Sequence, residues 1–144
     1  MRGSDSYIAN PLDPHVPSSL RLDGLTILVV DDSFDNQLLF QRVLTGAGAQ
    51  IEIARDGVQA VNLHGNGNFD VIIMDMMMPV MDGCEATRLI RKAGYKKPII
   101  ALTAHATLDA EARCRASGCS HFALKPIGRR ELISVIHAAA NPTY

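Results

Sequence analysis

No apolar run in the 144 residues reaches the ~18 that a membrane-spanning helix needs, so no span is expected. Met1 to Pro17 lacks the apolar stretch of a secretory signal. Net charge is almost absent, with 14 Lys and Arg against 15 Asp and Glu, and the general electrostatic case for nucleic acid or an anionic membrane goes with it. Cysteine is scarce. Cys84, Cys114 and Cys119 are odd in number and lack a metal-site spacing, so they read as reduced packing thiols of a cytosolic protein. There is no internal repeat and no low-complexity tract. What is present is a 47% apolar composition, in a chain long enough for one domain with a real core.

Residues 1–22 contain Pro11, Pro14 and Pro17 among Ser, Asp and Asn, the composition of a linker; Met1 to Ser4 looks like a remnant of an expression tag. From Leu25 two kinds of segment alternate. Leu25–Val30, Ile51–Ala54, Val71–Asp75, Pro98–Leu102 and His121–Leu124 are short apolar runs and predict strands. Between them lie helix signals. Ser33 can cap a helix to about Ala47, with Leu38, Leu39, Val43 and Leu44 on one face, and Gly46 and Gly48 ending it. Asp56 with Gln59, and Asp82 with Glu85, have capping-box spacing for helices to about His64 and Ala93. Thr107 can cap an Ala-rich helix that stops at Gly118, and a last helix carries Leu132, Ile133 and Ile136. Strands that alternate with helices imply an α/β fold with a parallel sheet and right-handed crossovers.

The polar residues that punctuate this pattern, Asp31, Asp32, Asp75, Thr103 and Lys125, all fall at carboxyl ends of predicted strands. Parallel strands put those ends on one edge, where open α/β sheets bind ligands. Three carboxylates brought together repel one another, and a hard divalent cation relieves this. Oxygen ligands with room for water suit magnesium or manganese. With an ammonium and a hydroxyl added, the edge could stabilise charge on a phosphoryl group during in-line transfer. Among these side chains a carboxylate is the plausible acceptor that leaves Lys125 and Thr103 free. Asp75, on the central apolar strand, is assigned the nucleophile role.

Val29-Val30-Asp31-Asp32, Met74 to Gly83, Leu102-Thr103-Ala104 and Leu124-Lys125-Pro126 together resemble the receiver domains of two-component response regulators. The resemblance implies a flavodoxin-like (βα)5 fold with strand order 2-1-3-4-5, residues 23–144 forming the receiver domain behind a tag and flexible linker. It implies that Asp75 accepts a phosphoryl group, that Asp32, Asp75 and the Met77 carbonyl bind Mg2+ directly, and that Asp31 holds it through water. Thr103 and Lys125 would contact phosphoryl oxygens, Phe122 would be a switch aromatic, and the bond before Pro126 would be cis. Asp35-Asn36-Gln37, Gly48-Ala49, Ala54 to Gly57 and Met78 to Gly83 are similar to receivers of hybrid histidine kinases. The expected partner is a phosphohistidine-bearing kinase or phosphotransfer domain, docked on the first helix near Leu38 and Leu39. The domain is expected to be a cytoplasmic monomer, free or within a membrane-bound kinase, without an output domain after Tyr144. Its only catalysis would be its own phosphorylation and dephosphorylation.

Two other functions compete. Magnesium-dependent phosphatases of the haloacid dehalogenase type also use an Asp nucleophile, but carry a second Asp two residues later, where Met77 stands here. A receiver that docks partners without phosphorylation would be expected to lack one of the five polar residues, and none is missing. Taken singly, Asp31-Asp32 reads as a turn pair, Lys125 as a solvated lysine and Thr103 as a helix-entry residue. The run of methionines reads as core and loop filling rather than a copper site.

Overall fold

The computed structural model describes residues 21–65, 67–105 and 107–141, so most of the expected linker lies outside the described residues. Five strands, β1 (Thr26–Val30), β2 (Gln50–Ala54), β3 (Val71–Asp75), β4 (Ile99–Thr103) and β5 (His121–Leu124), alternate with five helices. These are α1 (Phe34–Gly46), α2 (Gly57–His64), α3 (Gly83–Lys92), α4 (Leu108–Ser117) and α5 (Arg129–Ala140). All strand pairs are parallel and the order is 2-1-3-4-5, as expected. Among the described residues no helix is long and apolar enough to cross a membrane.

The order explains the burial. β3 and β4 are buried at every position and β1 at four of five, because helices cover both faces of these inner strands. β2 and β5 are edges and stay partly open. Period-2 alternation then divides the core. Ile27, Val29, Val71, Ile73, Ile100 and Leu102 pack with Phe40, Leu44, Leu132 and Ile136 of α1 and α5. Leu28, Val30, Ile72, Met74, Ile99 and Ala101 pack with Ala60, Ala86, Ile90 and Cys114 of α2, α3 and α4. Each fully buried Leu or Ile contributes about 1.5–3 kcal/mol, so these two layers dominate stability.

Helix starts follow the capping signals. Ser33, Asp56, Asp82 and Thr107 each accept the backbone N–H three residues on. Gln59 does reach back, but to the N–H of Arg55 rather than that of Asp56, at 2.8 Å. Gly118 ends α4 with φ +116°, a conformation that glycine adopts without a Cβ penalty.

Two expectations change. Leu38 and Leu39 do not share the buried face of α1; Phe40, Val43 and Leu44 do, leaving Leu38 44% and Leu39 52% exposed. The 3.6-residue period puts 40, 43 and 44 on one stripe, with 39 beside it and 38 on the opposite side of the helix. Leu22, placed in the linker by composition, is 1% exposed in the core, and its N–H donates to the Ala47 carbonyl.

Candidate functional site

Sheet register brings the polar residues together. The ladder runs one residue past three strands: Asp31 N–H donates to Ala54 O, Met76 N–H to Leu102 O, and Lys125 N–H to Thr103 O. Side chains at these ends are therefore held by backbone, not by flexible loops. Carboxylate oxygens of Asp31, Asp32 and Asp75 lie within 4.8 Å of one another; Asp31 and Asp75 are buried and Asp32 is exposed. Lys125 spans the group, with Nζ 3.3 Å from Asp31 Oδ2 and 3.2 Å from Asp75 Oδ1.

Asp31 is braced from α1. Its Oδ1 accepts the Ser33 N–H at 2.9 Å, and Asn36 Nδ2 lies 3.3 Å from Oδ2. Gln37 Nε2 donates to the Asp31 carbonyl at 2.7 Å. The sequence marked Asn36 and Gln37 only as part of a motif. Their positions in the first turn after the Ser33 cap, directed back at the strand end, are the signal that could have identified them.

Asp75 is 3% exposed and accepts the Met77 N–H at 3.1 Å. Burial pushes its carboxyl above the ordinary carboxylate range. The Met77 N–H and Lys125 pull it down, and Asp31 adds to the rise. The site thus keeps one acid whose charge is poorly solvated, beside a fixed cation. Thr103 is buried at the end of β4, its Oγ1 accepting the His105 N–H at 3.2 Å. Phe122 is half-buried against the α2–α3–α4 side of the core. Met76 and Met78 are buried, whereas the Met77 side chain is exposed. The Lys125–Pro126 bond is cis. Among the described residues no buried side-chain nitrogen or oxygen lacks a hydrogen-bond partner.

Gly83 holds the loop after Asp75 close. A Cβ there would run into the Asp75 carbonyl oxygen and lie 2.8 Å from Met76 Cα, both backbone atoms that cannot swing aside. Gly83→Ala is therefore expected to lose about 1–3 kcal/mol of stability, read as a lower denaturation midpoint. An unchanged midpoint would mean that the loop relaxes freely.

The donor set fits a hard divalent cation. Three clustered carboxylates supply oxygen ligands, two of them already balanced by one lysine, and exposed Asp32 leaves a side open to water.

Comparison with known proteins agrees with this geometry. The family model described as response regulator receiver domain matches residues 27–137. Two-component response regulator 24 of Arabidopsis thaliana is 37% identical over 114 residues, covering 78% of this chain and 82% of that protein. Sensor histidine kinase RcsC of Escherichia coli is 38% identical over 105 residues, 73% of this chain but 11% of the kinase. The chain thus spans only a small part of the kinases it matches. Among solved structures, the receiver domain of sensor histidine kinase PA1611 from Pseudomonas aeruginosa, described with magnesium coordinated in its active-site cleft, is 36% identical with a TM-score of 0.75. That match covers 81% of this chain and 98% of that one. The Saccharomyces cerevisiae Ssk1 receiver, solved with the histidine phosphotransfer protein Ypd1, gives 26% identity and a TM-score of 0.74, covering 81% and 88%. With more than half its length matched by one family model, this chain belongs to the response regulator receiver domain family.

Proposed function

We propose that the domain takes a phosphoryl group from a phosphohistidine onto Asp75 and changes conformation as a result. The observation that carries this is the buried Asp75 carboxylate beside a second buried acid, with the Lys125 ammonium bridging the two. An Asp75 oxygen attacks phosphorus, the new O–P bond forms as the P–N bond breaks, and the electron pair returns to the imidazole. Lys125 is within reach of the incoming oxygens, and the Thr103 hydroxyl can donate to one of them. Asp31, Asp32, Asp75 and the Met77 carbonyl would hold Mg2+, or Mn2+; when bound, the cation neutralises charge on the phosphoryl oxygens. Engaging Thr103 draws in the segment after β4 and lets Phe122 move inward, shifting the balance between two packings. The test is incubation with acetyl phosphate and magnesium, followed by intact mass and peptide mapping. A gain of about 80 Da on Asp75 supports the assignment, and the same gain on another residue defeats it.

The donor we favour is a helical-bundle phosphotransfer or kinase dimerisation domain, in line with the hybrid-kinase relatives. Its docking surface would be α1, where Phe34 is 69% exposed one turn before exposed Leu38 and Leu39, just after Asp31 and Ser33. Leu38→Ser with Leu39→Ser is expected to slow transfer from a phosphohistidine donor by about tenfold, while acetyl phosphate labelling stays unchanged. Equal transfer rates would move the docking surface elsewhere.

A further inference from the structure

Three thiols gather on the α3–α4 side of the sheet, and the proposed phosphoryl chemistry uses none of them. Cys84, in the first turn of α3, is half-exposed; Cys114, in α4, is buried. Arg113, whose carbonyl the Cys84 thiol approaches, is the residue just before Cys114. Cys84 Sγ also lies 3.8 Å from Met76 Sδ and 4.0 Å from the Arg113 carbonyl oxygen. Both cysteines line one open groove of about 1350 Å³, which continues past Met77 to Thr103 and His105. Solvent and small solutes therefore reach Cys84. Cys119 is placed differently. It is buried, with Thr87 and Ser117 hydroxyls each 3.8 Å from its sulfur, and it does not line the groove.

We propose that Cys84 and Cys114 form a peroxide-sensitive dithiol whose disulfide ties α3 to α4. The Cys84 thiolate attacks one oxygen of hydrogen peroxide. The S–O bond forms, the O–O bond breaks, and the departing hydroxide takes a proton, giving a sulfenic acid and water. Cys114 sulfur then attacks Cys84 Sγ while losing its proton. The S–S bond forms, the S–O bond breaks, and a second water leaves. Two thiols give up two electrons, and one peroxide becomes two waters. The order follows from exposure: burial pushes the Cys114 thiol up to about 11, so it does not meet peroxide as a thiolate, and Cys84 reacts first.

The cross-link has a consequence for signalling that rests on the proposed phosphoryl switch. α4 follows directly on the segment after Thr103, so fixing it to α3 restrains the element that would respond. The oxidised domain would then accept a phosphoryl group but transmit it poorly.

The experiment uses the full chain, treated with graded hydrogen peroxide, blocked with N-ethylmaleimide, and examined by intact mass and non-reducing peptide mapping. The expected result is a loss of about 2 Da, two fewer blocked thiols and a Cys84–Cys114 peptide pair, all reversed by dithiothreitol. Cys119→Ser should keep the pair, whereas Cys84→Ser and Cys114→Ser should each abolish it. Oxygen added to Cys84 or Met76 with Cys114 still free to react overturns the proposal, as does a pair that includes Cys119. Beryllofluoride-induced NMR shifts are then compared between reduced and oxidised protein. Smaller shifts across α4 after oxidation support the signalling consequence, and equal shifts overturn it. If the reduced protein shows no α4 shifts at all, the switch reading fails, while the mapped cross-link stands by itself.

Discussion

Asp75→Asn is expected to gain no mass from acetyl phosphate where the unchanged protein gains about 80 Da, and to melt at a higher temperature in the absence of divalent cations. The first effect follows from removing the nucleophile while keeping its shape. The second follows from burial. Asp75 is raised above the usual carboxylate range chiefly because its charged form is desolvated. The folded protein therefore holds this proton more tightly than the unfolded chain does. Asp75 favours the fold below its unfolded-state pKa. That advantage is lost as pH rises through the raised folded-state value, so at neutral pH the charge is a burden. A neutral amide avoids it, by an amount on the order of 1 kcal/mol, or a few degrees in Tm. The gain should shrink towards zero as pH falls through that window. Thermal unfolding of both proteins in EDTA, from about pH 3 to 8, checks this. A variant that is less stable at neutral pH would show that Lys125 more than offsets the burial.

The fold was legible because its signals are local. Apolar runs closed by Asp31, Asp75 and Thr103 mark inner strands, and Ser33, Asp56, Asp82 and Thr107 mark helix starts that the structure reproduces. The convergence of Asp31, Asp32 and Asp75 was legible too, since parallel strands leave their carboxyl ends no other edge. What escaped depends on contacts between distant elements. Leu38 was grouped with Val43 and Leu44 because all are apolar, although five- and six-residue spacings turn it well away from them around the helix, and it is exposed. Leu22 looks like linker because its partner, the Ala47 end of α1, is 25 residues on. Met76, Met77 and Met78 are identical letters with opposite fates. The backbone after β3 turns the middle one outward, its N–H held by Asp75, while the Gly83 approach tucks the first against α3. The shared groove of Cys84 and Cys114 was likewise hidden, because the two sit on different helices.

Lys125→Ala is expected to do the opposite of Asp75→Asn, destabilising the metal-free domain while enlarging its response to magnesium. The lysine is the cation that the described residues place against both buried acids, 3.3 Å from Asp31 and 3.2 Å from Asp75. Without it, two buried carboxylates and exposed Asp32 face one another, and among the described residues the hydrogen bonds to Asp31 and Asp75 side chains that remain come from Ser33, Asn36 and Met77. Breaking a well-buried pair costs about 3–5 kcal/mol; Lys125 is part-exposed at 24%, so water recovers some of this and about 1–3 kcal/mol is expected. The same vacancy of charge should strengthen the pull on an added cation. Binding to the folded state alone stabilises it by RT ln(1 + [Mg2+]/Kd), so with a lower Kd millimolar magnesium should raise Tm more in Lys125→Ala than in the unchanged protein. Lys125→Met, which keeps the length of the stem, separates lost packing from lost charge. Paired thermal melts with EDTA and with magnesium decide the matter. If both variants melt like the unchanged protein in EDTA and gain no more from magnesium, the lysine does not balance the acids, and its role in stabilising a phosphoryl group loses its electrostatic basis. If the melts behave as expected and acetyl phosphate labelling still proceeds, only more slowly, then Lys125 acts on the developing phosphoryl charge rather than on the nucleophile, since Asp75 remains in place to attack.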